Sequence, residues 1–371
     1  MRNVTRKPRI CVTVFGLWTA GEKSDVIVAR KLDLGRGWFQ TAGAQSDVVI
    51  SSRIRLGRNI DGHAFGVLLA EPERAELASR LRAVIQGCRD SFYRLELAQD
   101  DRLLHSVLLE RNLLSASEHG IDEVYVRSDQ LCTVVPFDGE HVVLVGIRSG
   151  LELRSIHRDL SRLAGRIDRD LPFAVSLHWG YVAADPLASG ALMQGSILLH
   201  LPALVEQGDP DGALDKARSG AARLELFPSG QANRNGSLAN VFQLSNAPNC
   251  GLNEEQIIVQ LEEAVHGLVH YEREARAQLL QGRRRETTES VERAIGLLRH
   301  TPAIGAEEAL VLLSWIRLGV ALELTEEISI EEVTALLFVS QRCNVMQVSQ
   351  RPGDEDDRRA RLLRDRLASH G

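Results

Sequence analysis

Apolar positions alternate with polar ones through much of the first two thirds of the chain, and they recur at helical spacing in the last third. Valine-rich alternation over residues 131–147 is interrupted at 137–140, where Asp138-Gly139 supplies the positive φ angles that a tight turn requires. This pattern predicts a β-hairpin. The apolar run 47–50, which continues into 51–55, and the residues of 241–244 predict further strands.

Two helices are indicated between these strands. Leu77 and Leu81 belong to a helically spaced apolar set behind acidic residues that begin at Glu71, and such acids suit the N-terminal end of a helix dipole. A second apolar stripe runs from Leu153 to Ile167 in steps of three and four. That spacing predicts a helix that packs one face on a sheet.

Helices dominate the chain from Asn253 onward. Asn253 and Gln256 are able to form a capping box at the start of a helix. A short polar break is predicted at Arg283-Arg284-Arg285. Further helical patterns follow, without strand-like alternation between them, over 288–299, 306–322, 330–338 and 355–368.

These patterns predict two domains and an extension. Residues 36–272 combine strands and helices, which indicates an α+β domain, and residues 273–371 form an all-helical domain. Residues 1–35 have no clear periodicity. They are expected to be an N-terminal extension that is poorly ordered or detachable.

Composition narrows the class of protein. The chain has 371 residues, 44% hydrophobic and 25% charged, which excludes a fibrous or largely disordered protein. The net charge of -6 gives no global basic field, so nucleic acid and acidic membranes are not expected as partners. Five scattered cysteines fit reduced thiols in the cytoplasm. The apolar run 10–18 is too short to span a membrane.

Metal and nucleophile motifs are weak. His266 and His270 are four residues apart and could share a metal ion, but no third ligand or HExxH motif accompanies them, so two helix-surface histidines are expected instead. No metal site is predicted. The sequence contains no P-loop, no GxGxxG and no GxSxG motif.

An arginine pair is the strongest chemical signal. Arg53 and Arg55 follow Ser51 and Ser52 and lie one residue apart, so a strand would direct both guanidinium groups to one face. There they could clamp phosphate oxygens bidentately. The alternative is an arginine pair that solvates an edge strand.

The segment 46–59 that contains this pair is similar to the opening motif of the ATP:guanido phosphotransferases, the family of creatine and arginine kinases. Four later segments, 180–204, 240–246, 315–319 and 351–367, resemble the bacterial protein-arginine kinases of that family. The resemblance implies an antiparallel sheet flanked by helices, followed by a helical domain. It also implies ATP and Mg²⁺ as cofactors if the family activity is retained.

The resemblance implies a nucleotide site from which several expected groups are missing. His141 is retained, whereas the position of the catalytic carboxylate is Gly139, between Asp138 and Glu140. A shift of one residue along a strand would turn either acid to the other face. The family's reactive cysteine corresponds to Asp185. Its phosphate-binding arginines correspond to Val143, Gln194 and Pro228.

Other matches of the resemblance are partial. Asn112 is a weak match to a nucleotide contact, and the acidic residue of the family's glycine-rich loop corresponds to Asn233. Arg58, Arg223 or Arg234 could replace part of the lost charge if one of them enters the cleft.

The C-terminal segment resembles the R-D-x-x-R-A motif with which the protein-arginine kinases recognise phosphoarginine. Glu355 stands in place of the first arginine, while Arg358 and Arg359 remain as weak candidates for binding. The alternative is a solvated helix whose acids precede its arginines, as the helix dipole favours.

Two functions remain in competition. The first is a catalytically impaired homologue of the protein-arginine kinases, a pseudokinase with a regulatory or binding role in protein quality control. The alternative is an active kinase that transfers the γ-phosphate of ATP to protein arginine or a small guanidino compound. The expected partners are proteins, including arginine-phosphorylated ones, and a homodimer is possible.

Overall fold

A computed structural model describes residues 37–97, 102–115, 121–218, 223–229, 232–233, 236–247, 251–348 and 353–368. The predicted extension over residues 1–35 lies outside the described residues.

The central element is an eight-stranded antiparallel sheet, and two two-stranded ribbons lie outside it. The strands are β1 Val49–Arg58, β2 Phe92–Glu96, β3 Glu123–Arg127, β4 Cys132–Pro136, β5 Val142–Ser149, β6 Val175–Ser176, β7 Gly180–Tyr181, β8 Met193–His200, β9 Leu224–Pro228, β10 Ala232–Asn233, β11 Gly236–Ser237 and β12 Val241–Asn246. The strand order of the sheet is β2-β3-β4-β5-β1-β8-β12-β9, and the ribbons are β6-β7 and β10-β11.

Ten α-helices surround the sheet or follow it in the described part of the chain. They are α1 Glu71–Gln86, α2 Arg102–Glu110, α3 Leu153–Asp170, α4 Pro202–Gln207, α5 Pro210–Ala217, α6 Glu254–His300, α7 Ala306–Ala321, α8 Ile330–Val339, α9 Arg342–Val348 and α10 Glu355–Ala368. Short 3₁₀ helices cover Trp38–Gln40, Gly66–Leu68 and Pro186–Ala188.

Each face of the sheet has its own hydrophobic core. On one face, Ile54 and Leu56 of β1 pack in a core that also contains α1, α3 and the first half of α6. On the other face, Val143 and Ile147 of β5 share a core with Phe338 and other apolar residues of the C-terminal helices. The central strands are therefore covered on both sides over much of their length, and the C-terminal helices complete the second core.

The predicted elements are largely confirmed. The hairpin of 131–147 is β4-β5, and the residues of 241–244 form most of β12. The capping box of Asn253 and Gln256 is present at the start of α6. The α+β fold with a helical C-terminal region is confirmed as well.

The predicted break at 283–285 is confirmed as a kink. Two helical segments meet at Arg283, whose φ of -138° and ψ of 33° are not helical, and together they span Glu254–His300 as α6. The polar residues on both sides of the kink are exposed. The predicted domain boundary at 272/273 lies within the first of these two segments, and it stays a prediction.

A buried arginine of the C-terminal helices holds the start of β1. Arg317 of α7 donates to the main-chain oxygens of Ser46 at 2.6 Å and Asp47 at 3.1 Å. Burial lowers the pKa of Arg317 to about 9, and the nearby charge of Arg276 adds to this decrease. The strand that carries the arginine pair is thus fixed directly to the helical region.

Helix α6 contacts the same segment, just before β1, through a second buried arginine. Arg276 donates to the main-chain oxygens of Asp47 at 3.2 Å and of His200 at 3.3 Å. It also pairs with Glu272 at 2.7 Å, and Glu272 in turn accepts the amides that begin α4. Burial raises the pKa of Glu272, and these partners oppose the increase. The ends of β1 and β8 therefore share one buried polar network.

Candidate functional site

Strand β1 directs Arg53 and Arg55 to one face of the sheet, as alternation predicts. Arg53 lies opposite Ser196 of β8, and Arg55 lies opposite Gln194. On the other side, Gly57 is opposite Val143 of β5. Directly opposed residues of antiparallel strands point to the same face, so these side chains form one surface, which we call the arginine face.

Arg53 is largely enclosed. Its Nη2 donates to Ser115 Oγ at 2.7 Å, while its Nε has no hydrogen-bond partner among the described residues. Burial lowers the pKa of Arg53 to about 10, the charge of Arg55 adds to the decrease, and Asp138 opposes it. The guanidinium is still protonated at neutral pH. It has an unused donor inside the protein.

Arg55 forms a hydrogen bond and an ion pair with the turn between β4 and β5. Its Nη2 donates to the main-chain oxygen of Asp138 at 2.8 Å and lies 3.4 Å from Asp138 Oδ2. The Asp138 side chain is nearly buried, with 7% exposed, so little water screens this ion pair. The second arginine is therefore already paired with an anion of the protein itself.

Gly139 lies at the tip of this turn with φ +81°, where a side chain would have open space but a strained backbone. The neighbouring Glu140 turns inward instead. It accepts a hydrogen bond from Asn59 Nδ2 and lies so close to β1 that a Cβ on Gly57 would be 2.9 Å from Glu140 Cγ. A glycine at 57 is needed for this approach.

The Glu140 carboxyl group is chemically distinctive. Burial raises the pKa of Glu140, and the charge of Asp185 acts in the same direction. The hydrogen bond from Asn59 and the charge of Arg55 oppose the increase. The pKa therefore moves toward neutrality beside an arginine, which is a property of many catalytic carboxyl groups.

His141 has a structural position. Its Nδ1 accepts from the amide of Ile60 at 2.9 Å, and its Nε2 lies 2.8 Å from the carbonyl oxygen of Ala64. Burial lowers the pKa of His141. Both ring nitrogens are thus used by the main chain, and the neutral ring holds the turn against the end of β1.

Ser51 and Ser52 are both buried. Ser52 Oγ donates to the carbonyl oxygen of Gly150 at 2.7 Å and accepts from the amide of Glu152 at 3.1 Å. This hydroxyl group joins β1 to the residues just before α3. It faces away from the arginine face, because it alternates with Arg53.

The positions that match the family's phosphate-binding arginines lie in different environments. Val143 is fully buried in the second core, whereas Gln194 is exposed on the arginine face. Pro228 pairs with Phe242, which belongs to the core of the opposite face. The register of the sheet thus brings Val143 and Gln194 near Arg55, whereas it places Pro228 on the opposite face.

Two further predicted site residues, Asp185 and Asn112, lie in short turns. Asp185 is exposed and caps the 3₁₀ helix Pro186–Ala188 by accepting from the amide of Leu187 at 3.0 Å. Asn112 has φ +57° in the turn that ends α2. Three residues later, Ser115 reaches Arg53, so the segment after α2 does approach the site.

Neither Arg58 nor Arg223, two of the arginines considered as replacements, adds an unpaired charge to the arginine face. Arg58 is buried on the opposite face, 3.5 Å above the ring of Tyr181, and pairs with Glu254 at 2.5 Å. Arg223 is 79% exposed and pairs with Glu225. Arg234 lies outside the described residues, as does the side chain of Asn233.

The C-terminal arginines differ in role. Arg359 is buried and donates to the carbonyl oxygens of Ser340 and Ile304, both at 2.7 Å, and to Asp356 at 2.6 Å. It therefore joins α10 to the end of α8. Arg358 is half-buried. Of the two, Arg358 is the one that is not fixed in this way.

His266 and His270 are exposed on α6, and His270 lies 3.5 Å from Glu274. Within the described ranges, no group of three or more His, Cys, Asp or Glu residues has the arrangement of a metal site. The helices of the same ranges include none that is both long and apolar enough to cross a membrane.

Sequence reasoning missed the contacts that define this site. Asn59 lies inside the recognised motif, yet only the folded chain places it against Glu140. Ser115 follows α2, and no sequence pattern around it marks it as a residue of the site. The pairing of Arg55 with Asp138 also depends on the tertiary position of a turn.

Comparison with known proteins gives the class of this fold and site. The ATP:guanido phosphotransferase C-terminal catalytic domain matches residues 77–275, and the protein-arginine kinase McsB C-terminal domain matches residues 284–371. The solved structure of lombricine kinase aligns with a TM-score of 0.54 at 18% identity, over 68% of this chain and 72% of that one. A duplicated taurocyamine kinase from Schistosoma mansoni aligns with a TM-score of 0.53 at 17% identity, over 71% of this chain and 39% of that one.

Curated relatives narrow the class. The protein-arginine kinase of Symbiobacterium thermophilum is 30% identical over 326 residues, which cover 84% of this chain and 91% of the relative. That of Shouchella clausii is 28% identical over 321 residues, with 84% and 88% covered. The chain therefore belongs to the ATP:guanido phosphotransferase family, on its bacterial protein-arginine kinase branch.

Proposed function

We propose that this protein is a protein-arginine kinase homologue with impaired phosphoryl transfer, which acts in the cytoplasm through binding in protein quality control. The observation that carries the proposal is the pairing of Arg55 with Asp138 on the arginine face. Phosphoryl transfer needs free cations along the polyphosphate and a base that orients the attacking nitrogen. Here one of the two arginines is already neutralised.

The surrounding residues support the same proposal. Val143 and Gln194 supply no charge beside Arg55, and Pro228 is directed to the other face. Loss of one stabilising donor typically costs about 10²–10³ in rate. Such losses within one site are not additive, but they all act in one direction.

A triphosphate without a metal ion would meet Asp138 beside Arg55 on the arginine face, with Glu140 and Asp185 close by. These carboxylates repel phosphate oxygens, so nucleotide binding here would depend on Mg²⁺ for the missing positive charge. We therefore assign no step of phosphoryl transfer to the residues of this face.

The partners that we propose are proteins, including arginine-phosphorylated ones, and not nucleic acid or membranes. Arg358 is the residue of the C-terminal segment that is open to such a ligand, because Arg359 is committed to main-chain oxygens. A homodimer is compatible with this role.

One observation favours the second candidate, an active kinase for protein arginine or a small guanidino compound. Glu140 is a buried carboxyl group with a raised pKa next to Arg55. Such a group is suited to accept a proton near neutral pH. In this candidate Glu140 replaces the carboxylate that is absent at Gly139.

Thermal stabilisation by Mg-ATP and detection of phosphoarginine by mass spectrometry separate the two candidates. The Symbiobacterium thermophilum relative serves as the positive reference. We expect no shift of the melting temperature and no phosphoarginine for this protein, since a ligand stabilises only a native state that it binds. A clear shift together with phosphoarginine that is lost on Glu140→Gln would establish the active kinase.

A further inference from the structure

Helix α3 carries four arginines at intervals of four residues: Arg154, Arg158, Arg162 and Arg166. All four are exposed. Residues four apart are neighbours on one helix face, so the arginines form a continuous line about 18 Å long. We call this line the arginine stripe.

The stripe is separate from the arginine face. The other side of α3, which includes Ile156 and Leu160, packs in the core against Ile54 and Leu56 of β1. Arg53 and Arg55 project from the opposite face of the same sheet. The eight-stranded sheet therefore lies between the two sets of arginines, and a ligand of one does not contact the other.

Among the described residues, acidic partners on another element lie close to the first arginine of the stripe only. Arg154 lies 2.6 Å from Glu255 and 3.0 Å from Glu262, both on α6. Arg162 is 3.8 Å from Asp159. For Arg158 and Arg166, no carboxylate lies within ion-pair distance in the described part of the chain.

The stability of the helix does not explain this arrangement. Like charges four residues apart repel each other and destabilise a helix, whereas a solvated face gains from alternating signs at that spacing. The stripe places three such like-charge pairs in succession on a protein whose net charge is -6. An arrangement that costs stability in the free protein is compensated when a ligand of opposite charge binds.

A groove of about 530 Å³ runs along the stripe between α3 and α6. Its walls include Arg154, Arg158 and Arg162 on one side and Glu255 and Ile258 on the other. It is open to solvent and wide enough to receive side chains. An acidic side chain in the groove would lie among Arg154, Arg158 and Arg162, which line it.

We propose that the arginine stripe is a docking surface for an acidic helical segment of a partner protein. Helix α6 gives the internal precedent, because two of its glutamates, seven residues apart, contact Arg154. A partner helix with carboxylates at four-residue spacing continues this pairing along Arg158, Arg162 and Arg166. The nearby carboxylates of Asp159 and Glu255 oppose a continuous phosphate backbone, which disfavours nucleic acid.

The test uses the full chain and a fluorescent helical peptide with glutamate at every fourth position. A lysine version of the peptide and a single-stranded DNA oligonucleotide are the comparison ligands. The test variant combines Arg158→Glu with Arg162→Glu. The matched control combines Arg284→Glu with Arg293→Glu, two exposed arginines of α6. Binding is measured by fluorescence anisotropy at low and at physiological salt.

We expect the glutamate peptide to bind the parent and the control equally, and to bind the test variant roughly fivefold or more weakly. The lysine peptide should bind the test variant better than the parent, and both interactions should weaken as salt increases. Melting temperatures report whether the variants are folded.

Three results overturn the proposal. The first is no binding of the glutamate peptide, or equal binding by the parent and the test variant. The second is tighter binding of the oligonucleotide than of the peptide by the parent. The third is self-association of the parent in sedimentation that the test variant loses, which identifies a second copy of this chain as the occupant.

Discussion

At the scale of single residues, the pairing of Arg55 with Asp138 decides how much positive charge the arginine face offers. Replacement of Asp138 by asparagine removes a nearly buried negative charge but keeps the main-chain oxygen that Arg55 also contacts. We expect Asp138→Asn to bind tripolyphosphate roughly three- to tenfold more tightly than the parent, because Arg55 then faces the ligand with an unpaired charge. Calorimetry at matched salt measures the change.

A control for this prediction is Asp122→Asn, which removes an exposed carboxylate, 81% accessible, from a pair with Arg74. It should leave the affinity unchanged. The combination of Arg53→Ala and Arg55→Ala should abolish binding, since it removes both guanidinium groups of the pair on this face. Unchanged or weaker binding by Asp138→Asn would show that Asp138 does not compete with the ligand.

A second residue-scale prediction concerns His200, which is fully buried and lies 2.9 Å from Ser314 through its Nε2. Burial lowers the pKa of His200 well below its usual range, and the charges of Arg317 and Arg276 add to the decrease. Below pH of about 6.5 the unfolded state binds a proton that the folded state does not. Stability is therefore lost as the pH falls, by up to about 1.4 kcal/mol per pH unit from this group.

Urea unfolding between pH 7 and 5 tests this contribution. The parent should lose stability more steeply than His200→Gln, because glutamine does not titrate. Glu140 has a raised pKa and contributes a slope of the opposite sign, but it does so equally in both proteins. Parallel curves for the parent and the variant would exclude His200 as the source.

The common direction of Arg53 and Arg55 could be predicted from the sequence, because strand alternation fixes it locally. The contacts that Arg53 and Arg55 make in the folded protein could not be predicted in this way. Ser115 and Asp138 lie 62 and 83 residues away from the arginines that they contact. Such contacts depend on the register of the sheet and the path of its turns, which a local pattern does not contain.

At the scale of elements, strands β5 and β8, which flank β1, respond differently to restoration of the family's arginines. Val143 is fully buried in β5, so Val143→Arg places an unpaired charge in the core and should cost about 3–5 kcal/mol. Gln194 is exposed in β8, so Gln194→Arg should change stability by less than about 0.5 kcal/mol. Gly139→Glu adds strain of about 1–2 kcal/mol at a positive φ.

Denaturant unfolding of the three single variants orders these costs. The expected order of stability is Gln194→Arg above Gly139→Glu above Val143→Arg. A stable Val143→Arg protein would mean that β5 opens toward the arginine face more readily than its burial indicates. Activity should be sought first in Gln194→Arg, because that variant adds a cation without a loss of folding.

The hairpin β4-β5 and the apolar stripe of α3 could be predicted, because periodicity and an Asp-Gly turn are local signals. The three consecutive arginines also predicted a break, which is present as the kink of α6 at Arg283. The return to helical geometry directly after this kink could not be predicted, because an exposed polar run is also typical of a longer loop.

At the scale of the whole molecule, the sheet and the C-terminal helices share a core and a buried polar network. Phe338 of α8 packs against Trp38, with ring centroids 4.6 Å apart, and stacks on Phe39 at 6.0 Å. These two aromatic residues also belong to the core of Val143 and Ile147. The helical region predicted as a separate domain therefore covers one face of the sheet that carries the arginines.

This shared core predicts that the described molecule unfolds as one cooperative unit. Phe338→Ala should destabilise it by about 3–5 kcal/mol, because the removed ring leaves a cavity that touches both regions. The control is Phe227→Ala, which changes a ring that is 46% exposed on β9 and should cost less than about 1 kcal/mol.

Urea unfolding of the parent and of these variants is followed by tryptophan fluorescence and by far-ultraviolet circular dichroism. The two signals should give one midpoint in the parent and should move together in Phe338→Ala. Separate midpoints in the parent, or a loss confined to the helical signal, would show that the C-terminal helices fold independently of the sheet.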